Sequence, residues 1–244
     1  MRIAKPLVGA AAIVALTLTA GNASALSVID GTDATPWTFG PADTATATLP
    51  GFGAVSVVAT GGALTQSQPF DGNSTPSFCA AGGGSLACAQ DGFGVGDDEV
   101  TQPDQSITVS WAVPASIVEI YLLDLFTNNP ATNDPFWTEQ ADITINGVTG
   151  SFFATATGGD RTGALIVTAA DLIAQGLPVD NITSILFSAP DLGAACGATQ
   201  NCNDFAVAGV KGIPIPLPGA AWLFGSGLLA MLGVGYARRR HPAA

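Results

Sequence analysis

Asn146-Gly147 lies between two short strand-like runs, residues 142–145 and 148–153. Both central residues of a type I′ turn need positive φ, and Asn-Gly adopts it at little steric cost. The pair therefore specifies a β-hairpin, and with it an antiparallel sheet. The same two-residue period returns over residues 106–113, where Ile107, Val109 and Trp111 alternate with Ser106, Thr108 and Ser110. Pro114 is expected to end that strand. Residues 116–126 form the next, with Val118, Ile120 and Leu122 on one side and Ile117, Tyr121 and Leu123 on the other. Residues 122–126 are apolar on both sides apart from Asp124, as in a strand buried on two faces. Further strand signals fall at 26–29, 44–49, 55–60, 165–168, 182–188 and 205–210. Residues 170–175 predict one helical turn closed by Gly176, and residues 61–92 a polar, glycine-rich loop. About nine strands with Gly, Pro, Asn and Asp between them predict an all-β fold, an antiparallel, jelly-roll-like sandwich.

The two ends of the chain bound that domain. Arg2 and Lys5 precede an apolar core, and Ala23-Ser24-Ala25 is a small-x-small cleavage site, so residues 1–25 read as a secretory signal peptide. At the other end, residues 219–237 carry no charge over nineteen positions. As a helix they would reach about 28 Å, close to the ~30 Å hydrocarbon core of a bilayer. Arg238, Arg239 and Arg240 follow and would stop transfer on the cytoplasmic side. The globular part is then residues 26–212, one ordinary domain.

Between the domain and the apolar run stands a proline motif at 214–218, with Ile215, Pro216, Leu217 and Pro218 at its centre and Trp222-Leu223 shortly after. Residues 213–240 resemble the PEP-CTERM class of bacterial sorting signals, in its VPLPA-CTERM subgroup, with Ile215 in place of Val and Gly219 in place of the first Ala. Residues 203–210 look like the last strand of the ectodomains that carry such tails. The resemblance implies an exosortase as processing enzyme, an inner-membrane precursor held by the C-terminal helix, and delivery to the cell surface or extracellular matrix of a Gram-negative bacterium. It also implies exopolysaccharide as the partner class. A plain single-pass anchor is the other reading of the same tail.

Charge narrows the function further. All nineteen acidic residues lie in residues 26–212, with only Arg161 and Lys211 basic, a net charge of −17. Such a surface repels phosphate backbones, which excludes nucleic acid as a partner class. Cys79, Cys88, Cys196 and Cys202 are an even set in an exported chain and imply disulfides. Three connectivities exist; the local one, Cys79 with Cys88 and Cys196 with Cys202, is the one expected.

One acidic stretch has ligand chemistry. In residues 92–99, glycines allow carbonyls to turn inward and Asp97, Asp98 and Glu99 supply hard oxygens, a composition suited to Ca²⁺. The plainer reading is an acidic loop between strands. No catalytic constellation can be nominated: the one histidine, His241, follows the arginines, and no Walker loop or HExxH helix is present. The chain thus reads as a non-enzymatic, sorted surface protein, with a Ca²⁺-dependent carbohydrate-binding module as the alternative. Exposed aromatics would favour sugar binding; Trp37, Trp111 and Trp137 are the candidates, against burial in the core.

Overall fold

The computed structural model describes residues 25–127, 138–157, 162–192 and 203–215, apart from Ala42, Ser67, Asp71, Asn73 and Gln102. Residues 1–24 of the expected signal peptide, Pro216 and everything after it, Cys196, Cys202, Trp137 and Arg161 lie outside these residues. The strands are β1 (Ser27–Asp30), β2 (Thr38–Phe39), β3 (Thr44–Leu49), β4 (Gly53–Thr60), β5 (Leu64–Thr65), β6 (Gly94–Val95) and β7 (Ser106–Leu123). After them come β8 (Phe126–Thr127), β9 (Gln140–Ile145), β10 (Val148–Phe153), β11 (Ala156–Thr157), β12 (Leu165–Thr168), the helix α1 (Ala169–Ala174), β13 (Ile182–Ser188) and β14 (Ala206–Pro214). Every strand pairing except β8 with β11 is antiparallel. Among the described residues no helix is long and apolar enough to cross a membrane; the expected span, 219–237, is not among them.

Pro114 does not end a strand. β7 runs through it for 18 residues and is the common member of two strand rows. Its first half pairs with β4 on one side and β13 on the other, within the order β10-β9-β13-β7-β4-β3-β2. Its second half pairs with β14, which carries β1 on its far side, and with β12. Trp111 is the last β4 partner and Ala115 the first β14 partner, so Pro114 stands in the gap where the neighbour changes. A missing N–H removes no ladder bond there. The chain stays tied across the gap, because Val113 N–H donates to the Phe52 carbonyl at 3.0 Å and Ile215 N–H to the Pro114 carbonyl at 2.7 Å.

The alternation expected beyond Pro114 is also broken once. Lys211 faces Glu119, but the next β14 residue, Gly212, faces Ile117, so Val118 is an extra residue. This bulge flips the parity, and Ile117 joins Ile120 and Leu122 in the main core instead of Tyr121 and Leu123 on the opposite face. Tyr121 and Leu123 pack with Phe78, Cys79, Leu86, Ala206 and Ala208 in a second cluster. The end of β7 is thus buried on both faces, as its double apolar run predicts. Trp37 and Trp111 are core residues, 7% and 5% exposed. Their indole N–H groups donate to the Asp30 and Ile182 carbonyls at 2.9 Å each.

The second cluster lies under the glycine-rich loop, which folds back on itself. Cys79 and Cys88 are disulfide-bonded as expected, with Cα atoms 5.6 Å apart. Inside the bridge, Ala80 N–H donates to the Leu86 carbonyl and Leu86 N–H to the Phe78 carbonyl. Closing so short a loop stabilises by roughly 2–3 kcal/mol in the chain-entropy model. Replacing both cysteines with serine should lower the urea-unfolding free energy by about that amount. A double variant as stable as the parent would show that the bridge does not hold this cover in place.

Two further local expectations hold. Asn146 and Gly147 have φ of 51° and 80° and join β9 to β10, with Val148 facing Ile145. Thr168 caps α1 through a capping box with Asp171, and Gly176, at φ 78°, follows its end. One boundary moves. β14 continues to Pro214, past the expected domain limit at 212, so Ile213 and Pro214 are part of the sheet. Alternation turns the Pro214 nitrogen toward β1, whose last pairing is Ser27 with Gly212, so no ladder bond is lost.

Candidate functional site

The loop read as a calcium candidate connects β6 to β7, and its shape depends on close backbone approach. Val95 N–H donates to the Glu99 carbonyl at 2.8 Å, which turns the chain back within four residues. The Asp97 carboxylate accepts the Glu99 N–H at 3.3 Å, an Asx turn at the loop tip. Asp97 is exposed, Asp98 is half-buried, and the Glu99 side chain is turned into the protein. The three carboxylates are therefore not gathered on one point. Among the described residues, no group of three or more acidic, cysteine or histidine side chains is arranged to hold a metal ion. Asp104 is exposed, and Asp91 is buried with its N–H donating to the Gln68 carbonyl at 3.2 Å.

Glu99 instead meets acids that the sequence scatters widely. Asp204 stands just before β14, Glu139 just before β9, and Asp124 just after β7. All three elements end at the same place, so their carboxyls meet under the loop. Burial, followed by the nearby Asp204 and Asp124 charges, pushes Glu99 up to about 11. Burial and the Asp204 charge push Glu139 up to about 9, opposed by the Phe126 N–H that donates to its carboxyl. Burial also raises Asp204, to about 6, while hydrogen bonds from Glu99 and Glu139 pull it back. The chemistry is one of shared protons. Burial drives all three carboxyls toward the protonated form, and the hydrogen bonds from Glu99 and Glu139 favour the charged form of Asp204 over theirs. Asn203, next to Asp204, fixes this end of the chain: its side chain accepts the Gln140 N–H at 2.6 Å and donates to the Pro190 carbonyl at 2.8 Å.

Only Glu99 of this cluster was a candidate on sequence. A signal for the others was present. Asp124 interrupts an apolar run and Asp204 directly precedes a buried strand, and a carboxyl flanked by buried residues is carried inward with them.

A second polar group lies on the face covered by the disulfide loop. Lys211 Nζ donates to Glu119 at 2.9 Å, and the Tyr121 hydroxyl donates to the same carboxylate oxygen. The Tyr121 hydrogen bond, then that of Lys211, holds the Glu119 carboxyl below its ordinary value. Burial, reinforced by Glu119, pushes the Tyr121 phenol up. The group borders a cleft of about 520 Å³ whose rim includes Ser85 and Ile166. Compared with protein-family models, with curated proteins and with solved structures, the chain matches none of them.

Proposed function

We propose that this is an exported, non-enzymatic protein whose C-terminal segment is read by an exosortase-type enzyme, which delivers a β-sandwich domain to the cell surface or the matrix outside it. In this reading β7 belongs to both layers of a jelly-roll-like sandwich, and residues 219–237 form the single membrane helix of the precursor. The observation that carries the proposal is the order of the tail: proline motif, uncharged nineteen-residue run, three arginines. Two features of the domain support it. The Cys79–Cys88 bridge suits an oxidising compartment. The register of β1 against β14, Ser27 facing Gly212, makes the chain leave the domain at one end of one strand pair, both toward the signal peptide and toward the tail. Both processing points then sit on the side that faces the membrane.

The test separates a sorting signal from a bare anchor. An enzyme that reads the motif must hold a defined backbone shape, which Pro216 and Pro218 pre-set at low entropic cost. Replacing both with alanine leaves apolar length and charge unchanged. In a host with an exosortase, the variant is expected to accumulate as full-length inner-membrane precursor, with the surface or released form depleted at least tenfold. Wild-type mass and abundance at the surface would reduce the tail to an anchor.

A further inference from the structure

The register of the larger strand row aligns hydroxyls across it. Thr38 faces Thr46, Thr46 faces Ser56, Ser56 faces Ser110, and Ser110 faces Ser184. Five strands thus contribute one hydroxyl each to a straight line across the sheet, on the face away from the core. Two residues further along each strand, Thr44, Thr108, Thr144 and Thr149 stand in a second line with Val58 and Leu186 between them. A third line contains Thr60, Ser106, Ser188 and Ser151. Neighbours in a line are about 4.8 Å apart, the strand spacing, and successive lines about 7 Å apart.

Three properties distinguish this face from an ordinary solvated sheet. First, it excludes charge. The domain carries nineteen carboxylates, yet the three lines contain one, Asp142, at the far end and already bonded to Gln140 and Ser151 at 2.7 Å each. Strand propensity accounts for threonine, but not for the absence of charge or for the serines. Second, the first line is unengaged: among the described residues, none of its hydroxyls makes a hydrogen bond within the chain. Third, the face has a cleft. A hollow of about 520 Å³ lies over Thr38, Thr46, Ser56 and Ser110, between Pro36 and the exposed methyls of Ala54 and Ala112, and no charged residue lines it.

We propose that this face binds a neutral polysaccharide laid across the strands, with its strongest subsite in the cleft at the β2–β3 end. A hydroxyl both donates and accepts, so a row of them matches a ligand whose own groups do both, as sugar hydroxyls do. Val58 and Leu186 within the second line, and the exposed methyls of Ala54 and Ala112 beside the first, offer apolar ground for the C–H faces of the rings. The strand ladder fixes the hydroxyls before binding, which lowers the ordering cost. An anionic polymer finds no cation here and meets a domain of charge −17. The inference adds a ligand to the export reading and rests on it only for where the polymer is met.

Affinity electrophoresis of the full-length chain in detergent tests this, in gels containing hydroxyethylcellulose, dextran or galactomannan, with alginate as the anionic counterpart. At least one neutral polymer should retard the protein and alginate should not. The triple variant Thr46→Val, Ser56→Ala, Ser110→Ala should weaken that retardation at least tenfold. Ala54→Glu, at an exposed position, should do the same by placing charge in the cleft, and serves if the triple variant folds poorly. Failure of all three neutral polymers, equal retardation by alginate, or undiminished binding by Ala54→Glu would overturn the proposal. The Pro216→Ala, Pro218→Ala protein should bind as the parent does, so a failed sorting test leaves this one standing.

Discussion

Acidifying the protein from about pH 8 to about pH 5 should stabilise it. The sign follows from the buried carboxyls. Glu99 and Glu139 have folded values raised above the ordinary 4.5, to about 11 and about 9. Their contribution is fully present below the unfolded value and is lost as pH rises toward the folded one, because only the folded state keeps the proton. Each retained proton makes stability fall by ~1.4 kcal/mol per pH unit, or roughly 3–5 °C in melting temperature for a domain of this size. Asp204, raised to about 6, adds to the slope only up to that value. Glu119 and Asp171 are lowered, so they act in the opposite sense, but only as pH falls below the unfolded carboxyl range. Stability should therefore peak near pH 5. The double variant Glu99→Gln, Glu139→Gln keeps a donor toward Asp204 without a proton to lose. It should match the parent at pH 5, exceed it at pH 8, and show a much flatter melting curve against pH between them. A parent protein that melts at the same temperature at both values would mean that these carboxyls are solvated and ionised.

Gly94→Ala should be among the most damaging single substitutions. A Cβ at Gly94 would lie 2.1 Å from the Asp98 carbonyl carbon and 2.3 Å from the Glu99 nitrogen. Both are backbone atoms of the segment folded against it, so no side-chain rotation relieves the clash. The loss should be on the order of 4 kcal/mol or more in urea unfolding. Gly147 provides the contrast. Its φ is +80° and nothing lies within 4 Å of its Cβ position, so Gly147→Ala meets conformational strain alone, about 1 kcal/mol. Gly94→Ala should also weaken the pH slope, because the same turn delivers Glu99 to Asp204. A Gly94→Ala protein within 1 kcal/mol of the parent would sink this account of the loop.

Local chemistry was readable wherever one side chain or one dipeptide decides the geometry. Asn146-Gly147 specified its hairpin, Gly176 its helix end, and the alternation through Trp111 the inward face of the first half of β7. What failed depended on a distant partner. Pro114 reads as a breaker because a lone strand would lose a bond there; only the change of neighbour from β4 to β14 makes it harmless. The bulge at Val118 comes from the register of β14, about ninety residues away, and its insertion reverses which of Ile117 and Tyr121 faces the core. The carboxyl cluster follows the same rule. Asp97, Asp98 and Glu99 are neighbours in sequence, but a tight turn separates their side chains, whereas Glu99, Glu139 and Asp204 are brought together by three chain segments ending side by side. The row from Thr38 to Ser184 likewise exists only through register, since no strand contains more than one of its members.

The pairing of β1 with β14 also sets an order of events. Among the described strands, β14 is the sole partner of β1, and β14 is the last to be synthesised. The second half of β7 likewise lacks one of its two neighbours until β14 arrives. Contacts between the two ends of a chain require the largest loop closure and form late. A nascent chain that has not released its final strand therefore holds an open sheet edge, not a finished domain. The fold gains its full resistance to unfolding only once residues 206–214 have joined the sheet.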